Sequence, residues 1–296
     1  MKPEAPVEIR GSLKPTPSVL PGLDVCELMP RMAKMMDRVT VVRSVTHPYP
    51  LHGVAFATTG VPAIDVAMEL NPNDPRHQPY FGSIVAYFHR QPPGRRDDGT
   101  VHNLASPFSV SSQRTDQPLR AGPYAAYLGS AYHPVWTEFL GEGTRSTLKQ
   151  RPGFSWEGME PYLGCTEESH FRVSATGPQP ELTADRLDRR KSLLAQFDES
   201  RRHLENTNTG RSLSKFQQLA FSLVNSPKVA EALDVRRESR EVRELYGMHL
   251  FGQSCLAARR MLEAGTRLVS VFWDEYGLAG DAWDTHWDHF PRMEKE

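Results

Sequence analysis

No apolar run in this chain approaches the ~18 residues that a membrane-spanning helix requires, so no such helix is expected. The opening, MKPEAPVEIRG, lacks the basic start and apolar stretch of a signal peptide. A basic excess is missing too: 35 Lys and Arg stand against 36 Asp and Glu, a net charge of −1. Nucleic-acid binders carry a clustered positive surplus, so nucleic acid is not an expected partner. Cysteine is sparse. Cys26, Cys165 and Cys255 are far apart and odd in number, with no C-x-x-C pair to suggest zinc or redox chemistry. Buried free thiols are the expectation.

What remains is a chain of 296 residues, long enough for one large α/β domain or two ordinary ones. Five prolines in the first 24 residues fix φ and remove backbone donors, which predicts an extended arm over 1–24. CELMPRMAKMMDR then sets Leu28, Met32, Met35 and Met36 at helical spacing, as core packing. RVTVVRSV, residues 38–45, has the β-branched composition of a buried strand. The loop leaving that strand, THPYPLHG, carries His47 and His52. From 61 to 180 the text is rich in Pro, Gly and polar residues, and an irregular excursion with one or two helices is expected there.

Periodicity is plain further on. Leu187, Leu194, Phe197 and Leu204 recur at threes, fours and sevens behind Thr183, and Phe216, Leu219, Ala220 and Leu223 repeat the pattern. Ser226-Pro227 supplies a capping residue and a proline at the first helical position, where only an orphan donor is lost. MHLFGQSCLAARRMLEAG predicts a helix burying Leu250, Leu256 and Met261 and ending on Gly265. RLVSVFW follows as a strand. Helix, glycine, strand is an α/β signature, and strands preceded by helices are what parallel crossovers require.

The second strand runs out near Trp273 into a tract dense in chemistry: Asp274, Glu275, Asp281, Asp284, His286, Asp288 and His289. In open α/β sheets the C-terminal strand ends carry the sites. Were the two strands parallel neighbours, this tract would share an edge with His47 and His52. Mixed carboxylate and imidazole ligands suit zinc, manganese or iron, and a dication there would polarise an ester oxygen or generate hydroxide near neutral pH. Asp and His are equally ordinary in surface loops, so composition alone leaves the tract open between a site and a solvated connection. Trp273, Trp283 and Trp287 are by default packing residues.

The runs LTADRLDRRKSLL, SREVRELYGMHLFGQSCLAARRMLEAGTRLVSV and WDTHWDHF closely resemble the family called domain of unknown function 1501, grouped with the alkaline-phosphatase and sulfatase superfamily. KPEAPVEIRG, PGLDVCELMPRMAKMMDRVTVVRSVTHPYPLHG and YLGSAYHP resemble it in the same order, so the likeness spans essentially the whole chain. It implies an alkaline-phosphatase-like three-layer αβα sandwich with a mostly parallel sheet. It also implies one or two divalent ions (zinc, calcium, magnesium or manganese), and a phosphate or sulfate ester substrate, small-molecule or polysaccharide. Trp283-Asp284-Thr285-His286 matches the family's Trp-Asp-Thr-His motif, which makes Asp284 and His286 the inherited metal ligands. His52 inherits a weaker site role, and His47 a weaker one again.

Two departures are specific to this sequence. Trp287 stands where the family usually has glycine, and His289 where it often has asparagine, so His289 is either an extra ligand or none. The resemblance further implies an upstream Ser-His-x-Asp segment, a downstream Glu-Phe-Gly-Arg tract and an Asp-His pair, none of them in these 296 residues. The chain is therefore expected to be a fragment, inactive alone. Thr46, Thr58 and Thr59 are the hydroxyls near the first loop, and the nucleophile is unassigned. Members commonly carry twin-arginine signals, which implies export where the full-length protein has one. A non-catalytic binding or surface protein on the same scaffold is the alternative function.

Overall fold

The computed structural model describes residues 4–46, 54–72, 74–89, 101–113, 121–151, 154–174, 226–274 and 276. Two compact units divide the chain, one of residues 1–48 with 284–296 and one of residues 49–283. Among the described residues no helix is long and apolar enough to cross a membrane.

In the first unit, the proline-rich opening is more ordered than an arm. It holds a single helical turn, α1 (Val7–Arg10), and a strand, β1 (Pro15–Pro17), paired antiparallel with β2 (Asp24–Cys26). Prolines stand at both ends of the three-residue β1, an edge position where a missing donor costs no ladder bond. Helix α2 (Pro30–Ala33) follows, then a 3-10 turn over Met36–Arg38. The methionine stripe is a core only in part: Met36 is buried, whereas Met32 and Met35 are 43% and 48% exposed.

The strand expected over 38–45 does not form. The 3-10 turn ends at Arg38, and Val39, Val41, Val42 and Val45 are all exposed, Val45 by 77%. β-branched composition reports a fit to a pleated, half-buried surface. A strand also needs a neighbour to take its backbone groups, and this segment pairs with none among the described residues.

The second unit is built on a mixed four-stranded sheet in the order β7-β4-β3-β8. Its strands are β3 (Asn103–Ser106), β4 (Val135–Leu140), β7 (His170–Val173) and β8 (Leu268–Val271). Between β4 and β7 in sequence, β5 (Ser146–Arg151) and β6 (Phe154–Met159) form a separate antiparallel pair. Strand β3 pairs parallel with both β4 and β8, and β7 closes the β4 edge antiparallel. The stretch expected to be irregular thus holds five of the eight strands found among the described residues. It also carries helices α4 (Val66–Glu69) and α5 (Phe81–Phe88), behind α3 (Val54–Thr59).

The helical part after 225 follows the sequence reading. Helix α6 (Pro227–Leu233) starts on Pro227 with Ser226 as its cap residue, although the serine side chain makes no capping bond. Helix α7 (Arg240–Tyr246) is capped by Ser239, whose side chain accepts from Val242. Helix α8 (Leu250–Glu263) buries Leu250, Leu256 and Met261 completely, and Gly265 at φ 101 ends it. Only glycine takes that backbone conformation without a steric penalty. The helices expected over 183–223 lie outside the described residues.

Side-chain alternation along β3 and β8 sorts the packing. Leu104 and Val269 sit in register and join Leu250, Leu256 and Met261 of α8 in the main core. Ala105 and Ser270, one residue on, face the other way, where the Tyr80 hydroxyl at the start of α5 hydrogen-bonds Ser270 Oγ. Helices α5 and α8 therefore cover opposite faces of the sheet. All three cysteines are free thiols, with Cys165 buried and Cys26 and Cys255 half-buried.

Candidate functional site

The parallel pairing of β3 with β8 brings two chain exits to one edge. Strand β3 ends at Ser106, in register with Val271 of β8. The chain leaving β3 passes through a cis Ser106–Pro107 bond. The Pro107 carbonyl accepts the buried Thr137 hydroxyl of β4 at 2.9 Å. The chain leaving β8 runs through Phe272, whose N–H donates to the Ser106 carbonyl at 2.8 Å, and then to Trp273 and Asp274.

Asp274 is the chemically distinctive group at this edge. The Ser111 backbone N–H donates to its Oδ2 at 2.5 Å, and its own N–H donates to the Tyr162 hydroxyl at 3.1 Å. Ser111 holds a left-handed backbone at φ 63, unusual for a residue with a side chain. That conformation accompanies the N–H aimed at the carboxylate. The Tyr162 ring stacks on Trp273 with centroids 4.9 Å apart, and Phe251 of α8 packs against the same indole. Trp273 is thus the packing residue expected of it, and the start of the exit is wedged between aromatic rings.

Two further phenols line the surroundings. Burial, with the negative charge of Asp274 added to it, raises the Tyr124 hydroxyl above its ordinary range. Burial together with Glu160 and Glu142 does the same to Tyr276. Both phenols are therefore neutral at physiological pH. The Ser106 hydroxyl, on a residue only 1% exposed, is buried without a hydrogen-bond partner among the described residues.

One fixed carboxylate can act as a base or as one arm of a cation site, but not as a whole metal centre. Among the described residues no group of three or more His, Cys, Asp or Glu side chains is arranged to hold a metal ion. Asp284, His286, His289, His52 and His47 all lie outside the described residues. The strand that was to carry His47 and His52 towards the second strand is not formed, so the expected juxtaposition has no support from it. Of the three threonines, Thr58 and Thr59 are engaged within α3: their hydroxyls donate to the Val54 and Ala55 carbonyls at 2.7 and 2.8 Å. Thr46 is exposed.

Asp274 was legible from the sequence, as the first acid after a strand. Its partners were not. Ser111, Tyr124 and Tyr162 come from three separate stretches read as irregular, and no local pattern marks a serine for a left-handed backbone.

These features define an α/β protein with helices on both faces of a mixed sheet and a fixed carboxylate at the C-terminal ends of two neighbouring parallel strands. Over residues 2–296 the chain matches the family described as "Protein of unknown function (DUF1501)", and it belongs to that family. No curated protein matches it, and no solved structure does.

Proposed function

We propose that this protein is a metal-dependent hydrolase of phosphate or sulfate esters on an alkaline-phosphatase-like αβα scaffold. Asp284 and His286 are its metal ligands, His289 and His52 are supporting ones, and His47 is the weakest. The observation that carries the proposal is Asp274. It is a carboxylate locked by a backbone N–H at the C-terminal end of β8, in the same exit that leads nine residues later to the start of the Trp-Asp-Thr-His tract. Helices on both sheet faces and three adjacent parallel strands agree with such a scaffold. Imidazole beside carboxylate suits zinc or manganese better than calcium or magnesium, which prefer oxygen alone. A dication held there would supply Lewis acidity at the ester oxygen and a hydroxide near neutral pH.

Metal binding is the first test. Inductively coupled plasma mass spectrometry and calorimetry with zinc and with manganese should give stoichiometric binding by the full-length gene product. Asp284→Ala with His286→Ala should abolish it. Stoichiometric metal retained in the double variant would refute the ligand assignment. Hydrolysis of p-nitrophenyl phosphate and sulfate by the full-length gene product, lost with a chelator, is the test of turnover.

One observation favours a second reading, a non-catalytic binding or surface protein on the same scaffold. The Thr58 and Thr59 hydroxyls are tied to helix carbonyls, and the Ser106 hydroxyl is buried. Chelator-sensitive turnover would eliminate that reading.

A further inference from the structure

The tract YLGSAYHP, residues 127–134, carries a histidine with a defined job. His133 Nδ1 accepts the Ala125 backbone N–H at 2.9 Å, which places the ring proton on Nε2 and requires a neutral imidazole. The loop closed by this bond makes two 3-10 turns, Ala126–Leu128 and Ser130–Tyr132, around Gly129. Ala126 itself sits at φ 47, a left-handed conformation that alanine adopts only where its surroundings impose it. The residue carrying that constraint follows directly after the amide that His133 holds.

Tyr124 lies at the mouth of this loop. Its ring meets the His133 imidazole edge to face at 5.5 Å, and its carbonyl accepts the Tyr80 N–H at 3.0 Å, at the start of α5. Its phenol is close enough to Asp274 for the carboxylate charge to act on it. The loop is thereby connected at one end to a helix cap and at the other to the fixed carboxylate at the strand ends.

We infer that His133 is a pH-sensitive latch: neutral, it closes the 125–133 loop and holds the Tyr124 ring against its own, within reach of the Asp274 charge, and protonated it releases both. The chemistry is a swap of roles at one atom. A proton arriving on Nδ1 turns the acceptor of the Ala125 N–H into a second donor facing it, so the bond is replaced by repulsion. Among the described residues, the titratable groups facing this assembly are the Tyr124 phenol, against the ring, and Asp274, whose charge reaches that phenol.

Burial lowers the proton affinity of His133 below its ordinary value of 6.5, with no charged side chain among the described residues contributing. The latch is therefore closed above about pH 6.5 and opens as the pH falls through the lower folded-state value. The inference rests on the loop and Asp274 and does not depend on the hydrolase reading.

Nitrogen-15 NMR of the whole chain reads the ring directly. The expected result is a neutral Nε2–H tautomer for His133 at about pH 7.5, titrating below about 6.5. Over the same range, hydrogen exchange at the Ala125 amide, corrected for intrinsic chemistry, should lose about tenfold protection, the worth of one hydrogen bond. His133→Asn offers a carbonyl acceptor that does not titrate, and should keep Ala125 protected at both ends of the range. A proton on Nδ1 at neutral pH would overturn the latch. So would Ala125 protection that is indifferent to the titration, or the same acid loss in the asparagine variant. Should that variant fail to fold, the wild-type ring and amide measurements decide alone.

Discussion

Replacing Arg243 with methionine removes a buried cation that ties three elements together, and its cost can be worked from the hydrogen bonds. Arg243 is 5% exposed on α7. Its Nε donates to Gln253 Oε1 of α8 at 2.9 Å, one terminal nitrogen donates to the Ser169 carbonyl at 3.0 Å, and the other to the Glu167 carbonyl. Gln253 returns two bonds, to the Arg243 carbonyl at 3.0 Å and the Gly247 carbonyl at 2.8 Å. The guanidinium thus fixes the chain entering β7 against the α7–α8 turn. Methionine conserves much of the volume and none of the donors, leaving a glutamine oxygen and two carbonyls in search of partners.

Hydrogen bonds from a charged donor are worth about 1.5–3 kcal/mol each. Three such losses are offset in part by no longer burying the cation, so the net cost should be about 3–5 kcal/mol, the range for breaking a buried charged network. Against a total stability of about 5–15 kcal/mol, that is a large fraction. Urea denaturation should show it as a fall in midpoint at unchanged slope. Arg240, one turn earlier on the same helix, is the control. It is 71% exposed and paired with Glu244 and Glu167, and Arg240→Met should cost less than about 1 kcal/mol. A loss at Arg243 below about 1 kcal/mol, or one equal to that at Arg240, would refute the clamp.

Gly82→Ala should destabilise by about 1–3 kcal/mol, the usual cost of overpacking, because the new methyl would lie 2.3 Å from the Tyr80 ring and 2.4 Å from Asn103 Oδ1. Thermal unfolding by circular dichroism checks this, and a wild-type midpoint would show that α5 can shift off the sheet. His249 caps α8 with Nδ1 accepting the Gly252 N–H at 3.1 Å, and burial holds its proton affinity below 6.5. Its stabilisation is therefore full above about pH 6.5 and is lost as the pH falls through the depressed value. His249→Asn, a capping residue that does not titrate, should flatten the acid side of the stability profile by about 0.5–2 kcal/mol, the worth of a cap. An unchanged acid slope would remove His249 as its cause.

The sequence was most legible where structure is local. Helix α8 announces itself through Leu250, Leu256 and Met261 and stops at Gly265, because periodicity and a left-handed end are properties of a single segment. The sheet hides for the opposite reason. Strand β3 reads Asn-Leu-Ala-Ser, with no β-branched residue, yet it is fully buried and central. It is a strand because β4 and β8 flank it, a fact about distant partners. Residues 38–45 fail in mirror image, with ideal composition and no ladder to join among the described residues. Composition states what a strand would tolerate, and pairing decides whether one exists.

The same distinction explains the edge around Asp274. Its acid could be picked out because acids after strands are where α/β chemistry collects. What makes it more than an acid is supplied from elsewhere: a left-handed serine after β3, a phenol from the turn after β6, and a second phenol whose loop is closed by a neutral histidine. Each of those groups has an ordinary identity in its own segment. Their significance arises because two parallel strands end together, so the loop after β3 and the exit from β8 must share one space. A reader of the sequence could therefore name Asp274, and could name His133 within YLGSAYHP, but could not join them. Changing the protonation of His133 is expected to be felt at the carboxylate through Tyr124, which makes the loop, and not the acid alone, the unit on which any chemistry at this edge would depend.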